Sequence, residues 1–251
     1  VSAWEALAVF FAGIWAGTIN TVVGSGTLVS FPVLLAVGLP PVTANVSNTL
    51  GLVPGSVTGA IGYRRELRGQ RTLLIEAGSA SLIGGVIGAV LLLTLPASAF
   101  KAVVPVLIVI ALILVVVQPR LAKRLSDRND GEERLTVTPL LWFLVLLTGI
   151  YGGYFGAAQG IILVAVMGVL LDESLQRINA AKNVLAALVN GVAAVVFIAT
   201  AHIDWTAVAL VGSGAIIGGL IGARIGRRLS PTVMRAIIVV VGVAAIVKLL
   251  L

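Results

Sequence analysis

The sequence predicts an all-α polytopic membrane protein. It reads as two inverted-topology repeats of about five segments each, with short broken or re-entrant helices at 27–38 and 160–171. Three observations predict this. Apolar runs of spanning length follow one another, the chain matches itself at a fixed offset, and Lys and Arg gather in alternating breaks. The composition agrees, with 59% hydrophobic and 11% charged residues and a mean hydropathy of +1.13. A soluble domain has about 45–50% apolar and about 25% charged residues, so lipid is the solvent for most of this chain.

The apolar segments run, in order, over 4–23, 27–38, 41–63, 72–95, 98–118, 138–157, 160–171, 175–200, 205–224 and 231–250. The first has Glu5 and no base ahead of it, so it is expected to be a retained membrane segment and not a signal peptide. A spanning helix needs roughly 20 residues, so 27–38 and 160–171 are too short to cross alone. Residues 119–137 form a polar linker between a first repeat, 1–118, and a second, 138–251.

Charge orients these segments. Arg64, Arg65, Arg68 and Arg71 share one break, five bases lie between Arg120 and Arg134, and Arg224, Arg227 and Arg228 share a third. The positive-inside rule puts all three in the cytoplasm. The breaks at 93–98 and 200–205 have no Lys or Arg and then face out, as do both termini.

An offset of 134 residues aligns Gly26–Pro105 with the second half, placing SLIGGVIGA (81–89) on AIIGGLIGA (215–223). Asn45 falls on Asn179, Asn48 on Lys182 and Thr49 on Asn183. GIWAG (13–17) falls on GIYGG (149–153) after a two-residue adjustment. The arginine-rich break of one half matches a break of the other that has no Lys or Arg, so equivalent loops lie on opposite faces. Secondary transporters of this architecture bind substrate near the midplane, at broken helices between the repeats.

The candidate site follows from these breaks. VVGSGTL (22–28) and AAQGIIL (157–163) are equivalent, and in each a helix stops and a short one begins. A helix start has free N–H groups and partial positive charge, which suits an anion. Gly24, Gly26 and Gly160 allow close approach, and Ser25, Thr27 and Gln159 add side-chain donors. The competing reading is glycine placed for helix packing. Asn45, Asn48 and Thr49 share one helix face with position 52, as Asn179, Lys182 and Asn183 do with position 186. Lys182 lies about two turns into its span, and an intramembrane cation is a functional hypothesis by default. Against it stands a lysine that snorkels to the interface or pairs with Asp172 or Glu173. Asn20, at the end of the first span, could line the same cavity.

Other positions read as structural. Gly84/Gly88 and Gly218/Gly222 have the spacing of close helix packing. Trp4, Trp142 and Trp205 read as interfacial anchors and Trp15 as core. Glu76 is expected at an interface, and His202 and Asp204 in a solvated outer loop. The chain has no cysteine and a single histidine, so no metal site and no cofactor are expected. The net charge of +7 lies in the breaks between spans, which is a membrane pattern and excludes nucleic acid as a partner.

With Asn, Ser, Thr, Gln and Lys but no deep Asp or Glu, the expected ligand is a small anion. Moving a monoanion out of a negative interior is favourable by about 2.3 kcal/mol per 100 mV, which favours export without a coupling ion. The rival readings are an anion channel, an importer of carboxylate or thiosulfate, and an embedded enzyme or scaffold. An enzyme would need a nucleophile–base pair or a metal cluster, and the sequence has neither.

GTINTVVGSGTLVSFPVLLAVGLPPVTANVSNT, its weaker copy GAAQGIILVAVMGVLLDESLQRINAAKNV and the paired IGGxIGA segments resemble the TauE/SafE family of sulfite and organosulfonate exporters. The resemblance covers almost the whole chain. The first motif is fairly specific and the second degenerate: the family pattern has proline where this chain has Val166, opposite Pro32. The resemblance implies a permease of the prokaryotic inner membrane for small sulfur-containing anions such as sulfite or sulfoacetate. The bilayer and the anion are the expected partners, with a homodimer left open.

Overall fold

The computed structural model describes residues 2–126, 136–225, 236, 238–241, 243, 244, 246 and 247. The described residues form nine long helices, each close to an expected segment. They are α1 (Ala3–Val22), α2 (Thr27–Ala36), α3 (Pro41–Gly62), α4 (Arg71–Thr94), α5 (Ala97–Ser126), α6 (Pro139–Tyr154), α7 (Gln159–Leu170), α8 (Leu175–Thr200) and α9 (Trp205–Ile225). Helix recurs among the described residues of the 231–250 segment; the rest of that segment, Arg227, Arg228 and the linker's Arg128 and Arg134 lie outside them. Five helices are long and apolar enough to cross a membrane: α1, α4, α5 through Val117, α8 and α9. The chain is a multi-pass membrane protein.

Local chemistry sets the helix starts. Ser2 and Glu5 form a capping box at α1, the Glu5 amide donating to Ser2 Oγ at 3.3 Å and the Ser2 amide to Glu5 Oε2 at 2.7 Å. Pro41 and Pro139 open α3 and α6, where a missing N–H costs nothing. Thr138 and Ser174 cap α6 and α8 through their hydroxyls.

Three expectations need correction. α5 continues through Ser126, past the predicted end at 118, because Leu121–Leu125 are good helix formers and charge alone does not stop a helix. Trp15 is 43% exposed. The opposite side of α1 carries Gly13 and Gly17 against α9, where the backbones are too close for an indole. Asp204 is half-buried and caps α9, its Oδ1 accepting from the Ala207 amide at 2.8 Å. Trp4 and Trp205 are exposed as expected, and Trp142 is half-buried with its Nε1 donating to Ser79 Oγ.

Glycine decides which helices touch. A Cβ on Gly218 would overlap the Ile14 carbonyl oxygen, and one on Gly214 that of Phe10, so α9 lies backbone-to-backbone on α1. Gly84 and Gly88 meet the carbonyls of Leu146 and Ile150 in the same way, joining α4 to α6. α3 also packs on α9, and α8 on α4. Each contact has a counterpart under the offset: α1–α9 with α6–α4, α3–α9 with α8–α4, α1–α2 with α6–α7. α4 and α9 are thus each packed mainly against helices of the other sequence half, and α3 meets α8 between the two groups.

Candidate functional site

The two breaks meet. α1 stops at Val22, and Gly24 turns the chain with a left-handed φ of +89°, a conformation that suits glycine. Its carbonyl accepts from the Gly160 amide at 3.0 Å. A Cβ on Gly24 would lie 2.5 Å from Gly160 Cα, so no larger residue fits this contact. Ala158, in the second break, is also left-handed at φ +60°. For an alanine that costs about 1–2 kcal/mol.

The short helices differ at their N-termini, which corrects the expectation of free amides at both. At α7 the Gln159 amide donates to Gly156 O, Gly160 to Gly24 O and Ile161 to Ala158 O. The turn through Gly156 and Ala158 folds the chain back onto its own donors. At α2 the amides of Ser25, Gly26 and Thr27 have no protein acceptor among the described hydrogen bonds.

Polar side chains of α8 converge on the end of α1. Lys182 is fully buried, and its Nζ donates to Asn20 O at 2.9 Å and Thr21 O at 3.0 Å. Asn183 Nδ2 and Asn179 Nδ2 donate to the same Thr21 carbonyl at 3.3 and 3.4 Å. The last carbonyls of a helix have no partner within it and carry partial negative charge, which explains why three donors gather there. Lys182 therefore neither snorkels nor pairs with Asp172 or Glu173. Asp172 is exposed, and Glu173 pairs with Arg177 at 2.7 Å. The Lys182 stem lies on Gly160, where a Cβ would come within 2.8 Å of its Cδ.

α3 treats α6 in the same way with neutral groups. Asn45 Nδ2 donates to the Tyr154 carbonyl at 3.0 Å, and Asn48 Nδ2 to Thr27 Oγ1 at 3.4 Å. Thr49 donates back to Asn45 O within α3. The Asn20 side chain donates to Ser56 Oγ, so it reaches the breaks through its carbonyl. Ser25 Oγ, Thr21 Oγ1, Asn45 Oδ1, Asn48 Oδ1 and Gln159 Nε2 are buried without a partner. Buried polar groups are nearly always paired, so this concentration of unpaired atoms marks a site for a polar guest.

Of the predicted residues, Asn20, Gly24, Thr27, Asn45, Asn48, Gly160, Asn179, Lys182 and Asn183 are linked directly by these contacts. Ser25, Gly26 and Gln159 belong to the same breaks, and Thr49 faces its own helix. Thr21 and Tyr154 were not foreseen, because they act through backbone carbonyls. Beside the breaks, Phe155 packs edge-on against Phe31 and Phe100, with ring centroids 5.2 and 6.1 Å away. The only signal for any of these is position at a helix end.

The family described as "Sulfite exporter TauE/SafE" matches residues 9–249. The "Probable membrane transporter protein ORF9" of a Sinorhizobium species is 27% identical over 96% of this chain and 90% of its own length. The "Probable membrane transporter protein YfcA" of Escherichia coli K12 is 26% identical over 96% of this chain and 88% of its own. A "Probable membrane transporter protein" of Haemophilus influenzae is 26% identical over 94% and 91%. No solved structure matches the chain.

Proposed function

The chain belongs to the sulfite exporter TauE/SafE family, and on that premise we propose that this membrane transporter exports a small anion, sulfite or an organosulfonate. One observation carries the reading: the Gly160–Gly24 hydrogen bond joins the two breaks, with the unpartnered donors Ser25 Oγ and Gln159 Nε2 buried around them. The α2 amides and the Ser25 and Gln159 donors suit sulfonate oxygens, and Lys182 supplies the fixed positive charge. An ammonium has three donors, and α1 takes two of them.

The exchange of helix contacts between halves supports an inverted repeat, and with it alternating access about the breaks. The arginine distribution supports an inner-membrane orientation with both termini outside. Export of a monoanion runs down the membrane potential by about 2.3 kcal/mol per 100 mV.

The test is efflux of sulfite and sulfoacetate from proteoliposomes. Wild-type efflux is expected to saturate at permease turnover. Asn48→Ala and Gln159→Leu are each expected to reduce it about tenfold or more, the loss of one buried hydrogen bond to a charged ligand. Unchanged flux in both variants would remove the site assignment, and single-channel conductance would replace the permease with a channel.

A further inference from the structure

We propose that the Lys182 ammonium is a resident cation, filling a monovalent-cation site built from the C-terminal end of α1. In broken-helix transporters, half-helix C-terminal ends and unwound carbonyls are where coupling ions such as sodium bind. Here the carbonyls of Asn20 and Thr21 converge on one point, and Nζ occupies it at 2.9 and 3.0 Å. The nearby Glu173 is held by Arg177, and among the described residues Lys182 makes no ion pair. Its partners are oxygen dipoles, the ligand set of a bound alkali cation and not of an ordinary salt bridge.

The repeat sharpens the point. At the equivalent position of the first half stands neutral Asn48, and the α6 end is capped by the amide of Asn45. One broken helix thus carries a tethered cation and the other carries none. A tethered cation cannot be released to either side, so it contributes charge to the site without coupling transport to a cation gradient. The inference rests on the transport reading but not on the identity of the substrate.

Lys182→Met keeps the stem that packs on Gly160 and removes the charge, and Lys182→Asn installs the residue of the repeat position. Wild type, Lys182→Arg and both neutral variants are purified in sodium chloride or in choline chloride at equal concentration. Thermal unfolding and sulfoacetate flux are then measured. Wild type and Lys182→Arg are expected to be indifferent to the choice of cation. The neutral variants are expected to melt lower in choline, recover in sodium, and regain about tenfold in flux. Sodium stimulation of the wild type overturns the proposal. So do neutral variants that are equally stable in both salts, or recovered in neither. If sodium stabilises the variants but sulfoacetate is not carried, the substrate reading fails alone. If wild type carries sulfoacetate and sodium leaves the variants unmoved, the resident cation fails alone.

Discussion

Gly24 shows how one residue type can be required three times over. It needs a left-handed φ, its missing Cβ admits Gly160, and its carbonyl joins the second break. Gly24→Ala combines backbone strain with overlap against another backbone, neither of which can relax cheaply. The expected cost is about 2–4 kcal/mol. A lowered thermal midpoint together with lost flux checks this, and a midpoint at the wild-type value would mean the breaks are not in contact. Lys182 stood out in the sequence because a cation in an apolar span is rare. Thr21 did not stand out and Asn20 did so only for its side chain, because both bind Lys182 through groups that every residue possesses.

At the level of the element, the helices were legible almost end to end. Hydropathy is a local signal, and α8 starts and stops where hydropathy places it. The 22-residue α3 shows the limit of that signal. It is long enough to span, yet Thr43, Asn45, Ser47, Asn48 and Thr49 keep it outside the set of strongly apolar helices. Most of that polar face is buried. The GGxIGA spacing identified a packing face but not the partner helix. Gly218→Val would drive a side chain into the α1 backbone at Ile14 and Thr18. It is expected to destabilise by about 1–3 kcal/mol. Ile216→Val, at a position 39% exposed, should stay within about 0.5 kcal/mol. Thermal unfolding of the pair measures the contrast.

For the whole molecule, the question is which helices move together. Close glycine contacts join α9 to α1 and α4 to α6, so the packed groups are not the sequence halves. The joint between the groups contains the two breaks and the α3–α8 contact. Asn190 Nδ2 lies 3.5 Å from Ser56 Oγ across that contact. The chain has no cysteine, so Ser56→Cys with Asn190→Cys places the only thiols at the joint. Oxidation of this pair is expected to block efflux and reduction to restore it. Full flux with the disulfide closed would show that transport does not need the joint to open.

The solvent, the segments, the 134-residue offset and the polar faces of α3 and α8 were legible in the order of residues alone. These follow from residue type and spacing, which are local properties. It took the folded chain to show that α4 and α9 pack mainly across the halves, that the breaks touch at Gly24 and Gly160, and that Lys182 is used by the end of α1. Those outcomes depend on backbone carbonyls and on the absence of side chains. Every residue has a carbonyl, so a carbonyl partner leaves no mark in the sequence, and a glycine marks a close approach without naming its partner until the chain is folded.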